Sequence, residues 1–365
     1  MGGVVTRALG IVGTLVLTHL ILPDAYGEVS DASVVAFTVN VFVNVGVSIY
    51  IIAHPEASPE ERFHAALLHI GLGALLILPL PLVGGPVGRA VGAPTMAQYL
   101  PGMVVAVMFE RINMIPERLL LSRMQFRTVT GLRALSEILY TVVSVAGAAI
   151  GWGAMAIVAG NIARSGPRLL VVLKLVSWRE WIAPCRLRRE IFARIVRFGI
   201  PLSLGQLLAF GLRRWDNLVV SSLHGAGAVG AYNLAYNLAD IPAVQIGEQV
   251  TDALQVSYAG DQSDPKRRLL RSIAMLAFIM TPMAVGLGAV APTLTELMLS
   301  KKWAAAGPML VMLSVISFPR PLSGAVSSFM QVRNRRHAFL ALEAITLVTL
   351  LASLFTLGRL GPLEA

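Results

Sequence analysis

Short basic segments recur between long apolar stretches of this chain, and they constrain its fold more than any other feature. The clearest is Arg333-Asn334-Arg335-Arg336-His337, which separates two apolar stretches too long for a soluble core. A helix needs about 20 apolar residues to cross the roughly 30 Å hydrocarbon layer of a bilayer, so stretches of this length predict transmembrane helices. The pattern therefore predicts an all-α, polytopic membrane protein.

The composition supports this prediction. Of the 365 residues, 56% are hydrophobic and 14% are charged, and the mean hydropathy is +0.71. A soluble domain of this length cannot enclose so much apolar surface. The net charge of +10 gathers in short connectors and not on one folded face, which argues against a nucleic-acid partner. The lone cysteine, Cys185, excludes an internal disulfide and a CxxC metal site.

About eleven transmembrane helices are predicted. The first is interpreted as a retained span and not as a signal peptide, because no small-residue cleavage pattern precedes Asp24. The predicted spans lie at about residues 8–22, 32–53, 65–83, 95–115, 128–150, 152–176, 198–223, 227–257, 269–291, 304–331 and 338–357.

The distribution of basic residues predicts a cytoplasmic N-terminus. With that placement, four basic loops lie inside, as the positive-inside rule requires. They contain Arg118, Arg123 and Arg127; Arg186, Arg188 and Arg189; Lys266, Arg267 and Arg268; and Arg333, Arg335 and Arg336. The opposite side receives mainly Arg89, Lys301, Lys302 and Arg359.

The longest polar connector divides the chain into two helical lobes. Residues 1–176 are predicted to form an N-terminal six-helix lobe, residues 177–197 a basic cytoplasmic linker, and residues 198–365 a C-terminal lobe of about five helices. Trp178 and Trp181 suit a segment lying in the membrane interface, with an ordinary linker as the alternative. Two bundles of similar size predict a cavity between the lobes.

Charged and polar residues inside the predicted spans are the candidates for a functional site. A charge at the bilayer centre costs at least about 2.5–3.5 kcal/mol on insertion scales, so such residues normally face a cavity or a partner. The substrate-binding candidates are Arg111, Arg164, Arg168, Arg213, Arg214, Asn217, Asn233 and Asn237. The ion-coupling candidates are Glu110, Asp240 and Glu248. We expect them to line a hydrated, mixed-charge cavity.

Some of these residues have a structural alternative. Arg213 and Asp216, three residues apart, could form an intrahelical ion pair. Asp240 could cap a helix broken by the proline two residues later. Arg168 could reach the cytoplasmic surface along its own aliphatic stem. Adjacent Glu110 and Arg111 point to diverging faces of a helix and should find separate partners.

No motif of an enzyme or an ATPase is present in the sequence. Gly84-Gly85-Pro86 lacks the spacing of a phosphate-binding loop, no GxSxG motif occurs, and no His/Cys set has metal-ligand spacing. We therefore expect no catalytic residues, no metal and no cofactor.

Five segments resemble the Wzx-type polysaccharide (O-antigen) flippases of the MATE-like MOP exporter superfamily. They are Leu22-Pro23-Asp24-Ala25-Tyr26-Gly27; Arg197-Phe198-Gly199-Ile200-Pro201-Leu202 followed by Arg214-Trp215-Asp216-Asn217-Leu218; Gly230-Ala231-Tyr232-Asn233-Leu234-Ala235-Tyr236 with Pro242 downstream; Asp264-Pro265-Lys266-Arg267; and Lys302-Trp303-Ala304-Ala305-Ala306-Gly307-Pro308. The likeness extends from about residue 7 to residue 357.

The resemblance implies an exporter that carries a polyprenyl-diphosphate-linked oligosaccharide across the bacterial inner membrane. The oligosaccharide would be an O-antigen, capsule or exopolysaccharide precursor, and two MATE-like bundles would rock around a central cavity, driven by a proton or Na⁺ gradient. Arginines would meet the diphosphate, and Asn and Gln side chains the sugar hydroxyls. The expected partners are this lipid-linked substrate, membrane lipids, and a glycan polymerase with its chain-length machinery. Because the family usually has twelve or fourteen helices, we expect the final helix to be lacking.

Two other functions remain as alternatives. A drug or small-cation antiporter of the same superfamily is disfavoured because its substrate would meet the arginines. A membrane-embedded glycan polymerase or ligase would need a large periplasmic loop, and the predicted outward loops are short.

Overall fold

The computed structural model describes residues 2–54, 56–241, 265–316, 318–332 and 336–358. Within these ranges the chain forms thirteen α-helices and three short 3₁₀-helices. The α-helices are α1 (Gly2–Leu20), α2 (Pro23–Phe42), α3 (Val47–Ala53), α4 (Pro59–Ile77), α5 (Leu80–Ala90), α6 (Leu100–Ser122), α7 (Phe126–Ala149), α8 (Met155–Leu175), α9 (Arg189–Ala239), α10 (Pro265–Met298), α11 (Ala306–Ile316), α12 (Pro319–Val332) and α13 (Arg336–Leu357). The 3₁₀-helices are Pro94–Gln98, Trp178–Glu180 and Lys301–Trp303.

The all-α, multi-pass membrane fold predicted from hydropathy is confirmed. By length and composition, five described helices can cross a membrane. Counting two bent pairs as single spans raises this number to seven; α4 and α5 meet at 54°, and α11 and α12 at 43°. The predicted number of about eleven spans stays a prediction.

Local sequence signals explain several helix ends. Ser58 and Glu61 form a reciprocal capping box at the start of α4, with Pro59 in the first turn. Gly46 adopts a left-handed conformation (φ 62°) between α2 and α3. In the long helix α9, Gly225 has φ 82° and ψ 173°, which breaks the helix into arms of residues 189–224 and 226–239.

The predicted spans at 198–223 and 227–257 correspond to these two arms as far as residue 239, with the break where hydropathy placed it. The structure differs from the prediction at the linker, since α9 begins at Arg189, within the predicted 177–197 segment. The reason is a pair of apolar residues, Ile191 and Ile195, which are spaced one turn apart and are both buried.

Helix α2 connects the two halves of the chain, because it packs against both arms of α9. Glycines allow this close approach. A Cβ atom at Gly27 would overlap with the carbonyl oxygen of Ala226 in the second arm, and one at Gly199 in the first arm would overlap with that of Val45, just after α2. The indole of Trp215, also in the first arm, donates to the Thr38 hydroxyl of α2 at 3.1 Å. Tight packing through glycine is a common feature of membrane helix interfaces.

Candidate functional site

An ion-pair network joins α6, α7 and α8 in the N-terminal half. Arg168 of α8 donates to Glu117 of α6, and its second terminal nitrogen lies 3.4 Å from Glu110. Glu117 also accepts two hydrogen bonds from Arg133 of α7, at 2.6 and 2.9 Å. The side chains of Arg168 and Glu117 are only 11% and 5% exposed. Arg168 is therefore neutralised inside the protein by two carboxylates.

A more open pair lies beside this network. Arg164 of α8 donates to Glu137 of α7 at 2.5 Å, and its guanidinium stacks over the Tyr140 ring at 4.6 Å. The two charged side chains are 30% and 45% exposed. Because an exposed ion pair contributes little net free energy, Arg164 can exchange its carboxylate for another anion at small cost.

Arg111, in contrast, is fully buried and occupied by backbone groups. It donates to the carbonyl oxygens of His69 (2.6 Å) and Val43 (2.7 Å) and to the side-chain oxygen of Asn40 (2.7 Å). A Cβ atom at Gly73 would overlap with the Arg111 side chain, so this glycine makes room for it. The geometry gives Arg111 the task of tying α6 to α2 and α4. As expected, Arg111 and neighbouring Glu110 have separate partners.

A second network lies in the C-terminal half. Asp216 of α9 accepts a hydrogen bond from the Tyr232 hydroxyl at 2.7 Å and another from the Asn217 backbone N–H at 2.9 Å. Further along, Asp240 accepts from Arg320 of α12, and the Arg320 guanidinium lies 5.2 Å from the centre of the Tyr236 ring. Asp240 is thus engaged by a cation from a distant helix.

Helix α2 links this second network to the first half of the chain. The Tyr26 hydroxyl faces the side chain of Asn237, whose amide donates to Asn233 at 3.0 Å. Asn233 in turn donates to the hydroxyl of Ser30. The Tyr26 hydroxyl also lies near Tyr140, and the Arg164 guanidinium stacks on the Tyr140 ring. We call the hydroxyls and amides of Tyr26, Ser30, Asn233 and Asn237 the polar seam.

The structure places the predicted residues in different settings. Asn233 and Asn237 belong to the polar seam, and Asp240, at the end of α9, pairs with Arg320. Arg214 is half-buried and lies within electrostatic range of Tyr26 and Asp216, whereas Arg213 is exposed. Asn217 is buried, and its amide nitrogen has no partner within the described part of the chain. Glu248 lies outside the described residues.

Sequence reasoning missed several members of these networks. They are Tyr26, Glu117, Arg133, Glu137, Tyr140, Tyr232, Tyr236 and Arg320. A signal existed for the two tyrosines at 232 and 236, which share the four-residue spacing of Asn233 and Asn237. Arg320 lies between two prolines at the bend that separates α11 from α12, inside the span predicted at residues 304–331.

An apolar groove and the distribution of possible metal ligands complete the description of the candidate site. An apolar groove of about 520 Å³ runs between α6 and α8, lined by Phe109, Ile162, Ala163, Gly166, Pro167 and Leu170 among others. In the residues that the structure describes, no group of three or more His, Cys, Asp or Glu side chains could hold a metal ion.

Known proteins resemble this chain in sequence. Residues 16–308 match the profile of a family described as polysaccharide biosynthesis protein. The lipopolysaccharide biosynthesis protein WzxC of Escherichia coli (strain K12) is 23% identical over 91% of this chain and 68% of its own length. The succinoglycan biosynthesis transport protein ExoT of Rhizobium meliloti (strain 1021) is 23% identical over 85% of this chain. The chain spans 63% of the length of that second relative.

Solved structures share the fold at low identity. The lipid II flippase MurJ, in an inward closed conformation, superposes with a TM-score of 0.81 at 14% identity, over 100% of this chain and 82% of its own. An outward-facing multidrug resistance MATE family transporter of the MOP superfamily gives a TM-score of 0.64 at 17% identity, over 100% of this chain and 87% of its own. The protein therefore has the fold of MOP-superfamily transporters, and it belongs to the polysaccharide biosynthesis protein family.

Proposed function

We propose that this protein is a flippase that moves a polyprenyl-diphosphate-linked oligosaccharide across the bacterial inner membrane. The substrate would be an O-antigen, capsule or exopolysaccharide precursor, in keeping with the names of the relatives WzxC and ExoT. The observation that carries the proposal is the position of Arg164, a partly exposed arginine stacked on Tyr140, close to a seam of amides and hydroxyls between the two halves.

Each part of such a substrate meets a suitable chemical group. Guanidinium groups bind phosphate oxygens through paired, charge-assisted hydrogen bonds, so Arg164, with Arg213 and Arg214 from α9, would hold the diphosphate. The amides of Asn233 and Asn237 would bind sugar hydroxyls. The apolar groove beside the Arg168–Glu110 pair offers a surface for the isoprenoid chain, which remains in the bilayer.

The transport cycle would follow alternating access between the two lobes predicted at residues 1–176 and 198–365, driven by a proton or Na⁺ gradient. Glu110 and Asp240 each lie against an arginine and are candidates for coupling, together with Glu248. In this proposal the N-terminus lies in the cytoplasm, no reaction is catalysed, and a glycan polymerase with its chain-length machinery receives the product.

A drug antiporter of the same fold is the competing function. A cationic drug at the seam would meet arginines and be repelled, whereas a diphosphate would be attracted. The partly exposed Arg164 therefore favours the anionic substrate.

The test is complementation of a bacterial strain that lacks its O-antigen or capsule flippase, with lipid-linked intermediates measured on both sides of the inner membrane. Restored surface glycan together with a falling cytoplasmic-side intermediate supports the proposal. We expect Arg164→Ala to reduce export about tenfold or more at an unchanged protein level, because one charge-assisted hydrogen bond contributes about 1.5–3 kcal/mol. Arg213→Ala should also impair export more than folding, whereas Arg168→Ala breaks the buried ion pair with Glu117 and should lower the protein level as well.

A matched control is Arg194→Ala. The Arg194 side chain is 62% exposed and pairs with Glu61. This substitution should leave export unchanged. No restored glycan from a well-expressed protein, in strains covering several glycan types, would overturn the proposed substrate class. Equal loss of export and of protein level in Arg164→Ala would assign this arginine to folding.

A further inference from the structure

Asp31 is a buried carboxyl group that makes no hydrogen bond within the described residues. It lies in α2, eight residues after Pro23 and so about 12 Å along the helix from its beginning. Its exposed fraction is 0%, and neither carboxylate oxygen has a partner within bonding distance. An ionised carboxylate without donors or a cation costs several kcal/mol in such surroundings. The group must therefore be neutralised when the helices are packed as in this structure.

The group that faces Asp31 belongs to the other half of the chain. Ser221 of α9 faces the carboxyl, but neither its hydroxyl nor the carboxylate oxygens make a hydrogen bond of normal geometry among the residues described. One turn earlier on α9, the amide nitrogen of Asn217 is unpartnered as well. These orphaned groups mark a polar site at the α2–α9 interface.

The neighbouring carboxylates are already provided with donors. Glu28, three residues before Asp31 on α2, accepts from the Thr95 hydroxyl and from its backbone N–H at 3.3 Å. Asp216 on α9 is held by Tyr232. No Lys or Arg in the described ranges forms an ion pair with Asp31. Among the residues that the structure describes, none supplies a positive charge to it, which leaves a mobile cation to neutralise the carboxylate.

The packing around Asp31 favours the smallest cation. Gly27 lies one turn before it on α2, and a Cβ atom there would overlap with the carbonyl of Ala226. A Cβ atom at Gly92 would overlap with the carbonyl of Ser221 itself. A sodium ion needs several oxygen ligands and room for them, whereas a proton needs no added volume.

We propose that Asp31 is a proton-binding site that controls contact between α2 and α9. With its proton, the neutral carboxyl is compatible with the dry interface. Separation of the helices admits water, the proton leaves to that water, and the carboxylate is hydrated. The same oxygen takes a proton from water before the contact re-forms, and no other bond changes. A role for Asp31 in coupling proton movement to transport would rest on the proposed function, but its protonation and the effect on helix contact do not.

The conformational test uses spin labels at two exposed positions, Gln98→Cys on the 3₁₀-helix that packs against α2, and Ser222→Cys on α9. The full chain carries Cys185→Ser, which removes its one natural thiol, and is reconstituted in lipid. Distances are measured by pulsed electron resonance over a pH series. We expect the short-distance population to grow as the pH falls in the otherwise unchanged protein, and to be large at every pH in Asp31→Asn.

Two results would overturn the proposal. One is a distance distribution that changes neither with pH nor with the Asp31→Asn substitution. The other is a shift to short distances on adding Na⁺ at constant pH that Asp31→Asn abolishes, which would make the site a sodium site.

A spectroscopic test identifies the proton itself. Infrared spectra of the reconstituted protein should contain a carboxylic-acid C=O band that disappears in Asp31→Asn and persists in the control Asp24→Asn, whose side chain is exposed. Persistence of the whole band in Asp31→Asn would show that Asp31 is ionised and refute the proposal. Neither test needs a substrate. Failed complementation would therefore reject the proposed function but leave the proposal of a proton-binding site at Asp31 intact. Where transport is measurable, its rate should change about tenfold per pH unit on the limb governed by Asp31, and Asp31→Asn should flatten that limb.

Discussion

Replacing Arg111 should unfold the N-terminal half before it affects substrate recognition. The side chain is 1% exposed. Its guanidinium makes four hydrogen bonds to three residues: Asn40 of α2, Val43 at the end of α2, and His69 of α4. The Val43 carbonyl belongs to the end of α2, where helix carbonyls have no intrahelical partner and a positive charge is favourable. Arg111 therefore satisfies groups that neither water nor lipid can reach.

The magnitude follows from these contacts. Breaking a buried charged network by removing one member costs about 3–5 kcal/mol, because the remaining polar groups stay buried without partners. We expect Arg111→Ala to lose about this much stability. Arg111→Lys keeps the charge but lacks the planar fork that reaches several acceptors, so it should lose about 2 kcal/mol.

The assay is thermal denaturation of the detergent-solubilised protein, read as the fraction that remains monodisperse, together with the protein level in the membrane. Gly73→Ala is a matched variant, since the added methyl group would displace the Arg111 side chain; it should reproduce the loss without removing any charge. An Arg111→Ala protein with normal stability and no export would refute this reasoning and restore Arg111 to the substrate site.

Three other substitutions test separate contacts. Glu117→Gln weakens two ion pairs at once and leaves Arg168 with the longer contact to Glu110. We expect a loss of about 2–4 kcal/mol of stability in thermal denaturation. An unchanged stability would mean that the network is solvated and not buried. Gly27→Ala should block close contact of α2 with α9 and abolish export in a folded protein, measured by gel filtration and complementation; normal export would contradict this. Trp303→Phe loses a buried 2.6 Å hydrogen bond to a backbone carbonyl of α1 and should cost about 1–2 kcal/mol in the same denaturation assay.

Hydropathy was sufficient to predict the helices, because a lipid solvent imposes long apolar stretches. It even located the break near Gly225, where the chain must reverse and a glycine can adopt a left-handed conformation. It did not separate α2 from α3, or α4 from α5, because these breaks lie inside apolar stretches and depend on tertiary packing.

The networks were less predictable, because their pairs join distant segments. Arg168 was recognised as a polar residue within a span, but its partner Glu117 lies 51 positions away, and nothing local indicates which face meets it. Arg111 carried the same sequence signal as Arg164, yet one is enclosed by backbone carbonyls and the other is partly open. Whether the partly open residues bind substrate stays a prediction.

The ion-pair network of α6 to α8 also bears on how the protein is made. Helix α6 is not among the five described helices apolar enough to enter a bilayer by composition. The acceptors for its Arg111 lie in α2 and α4, which leave the ribosome earlier. The arginines for its Glu117 lie in α7 and α8 and are synthesised later. During synthesis α6 thus carries an uncompensated carboxylate until Arg133 of α7 emerges, and Arg168 of α8 adds a second positive charge later. Its lasting residence in the membrane should therefore depend on both helices, and truncation just before α7 should leave α6 unstable in the bilayer.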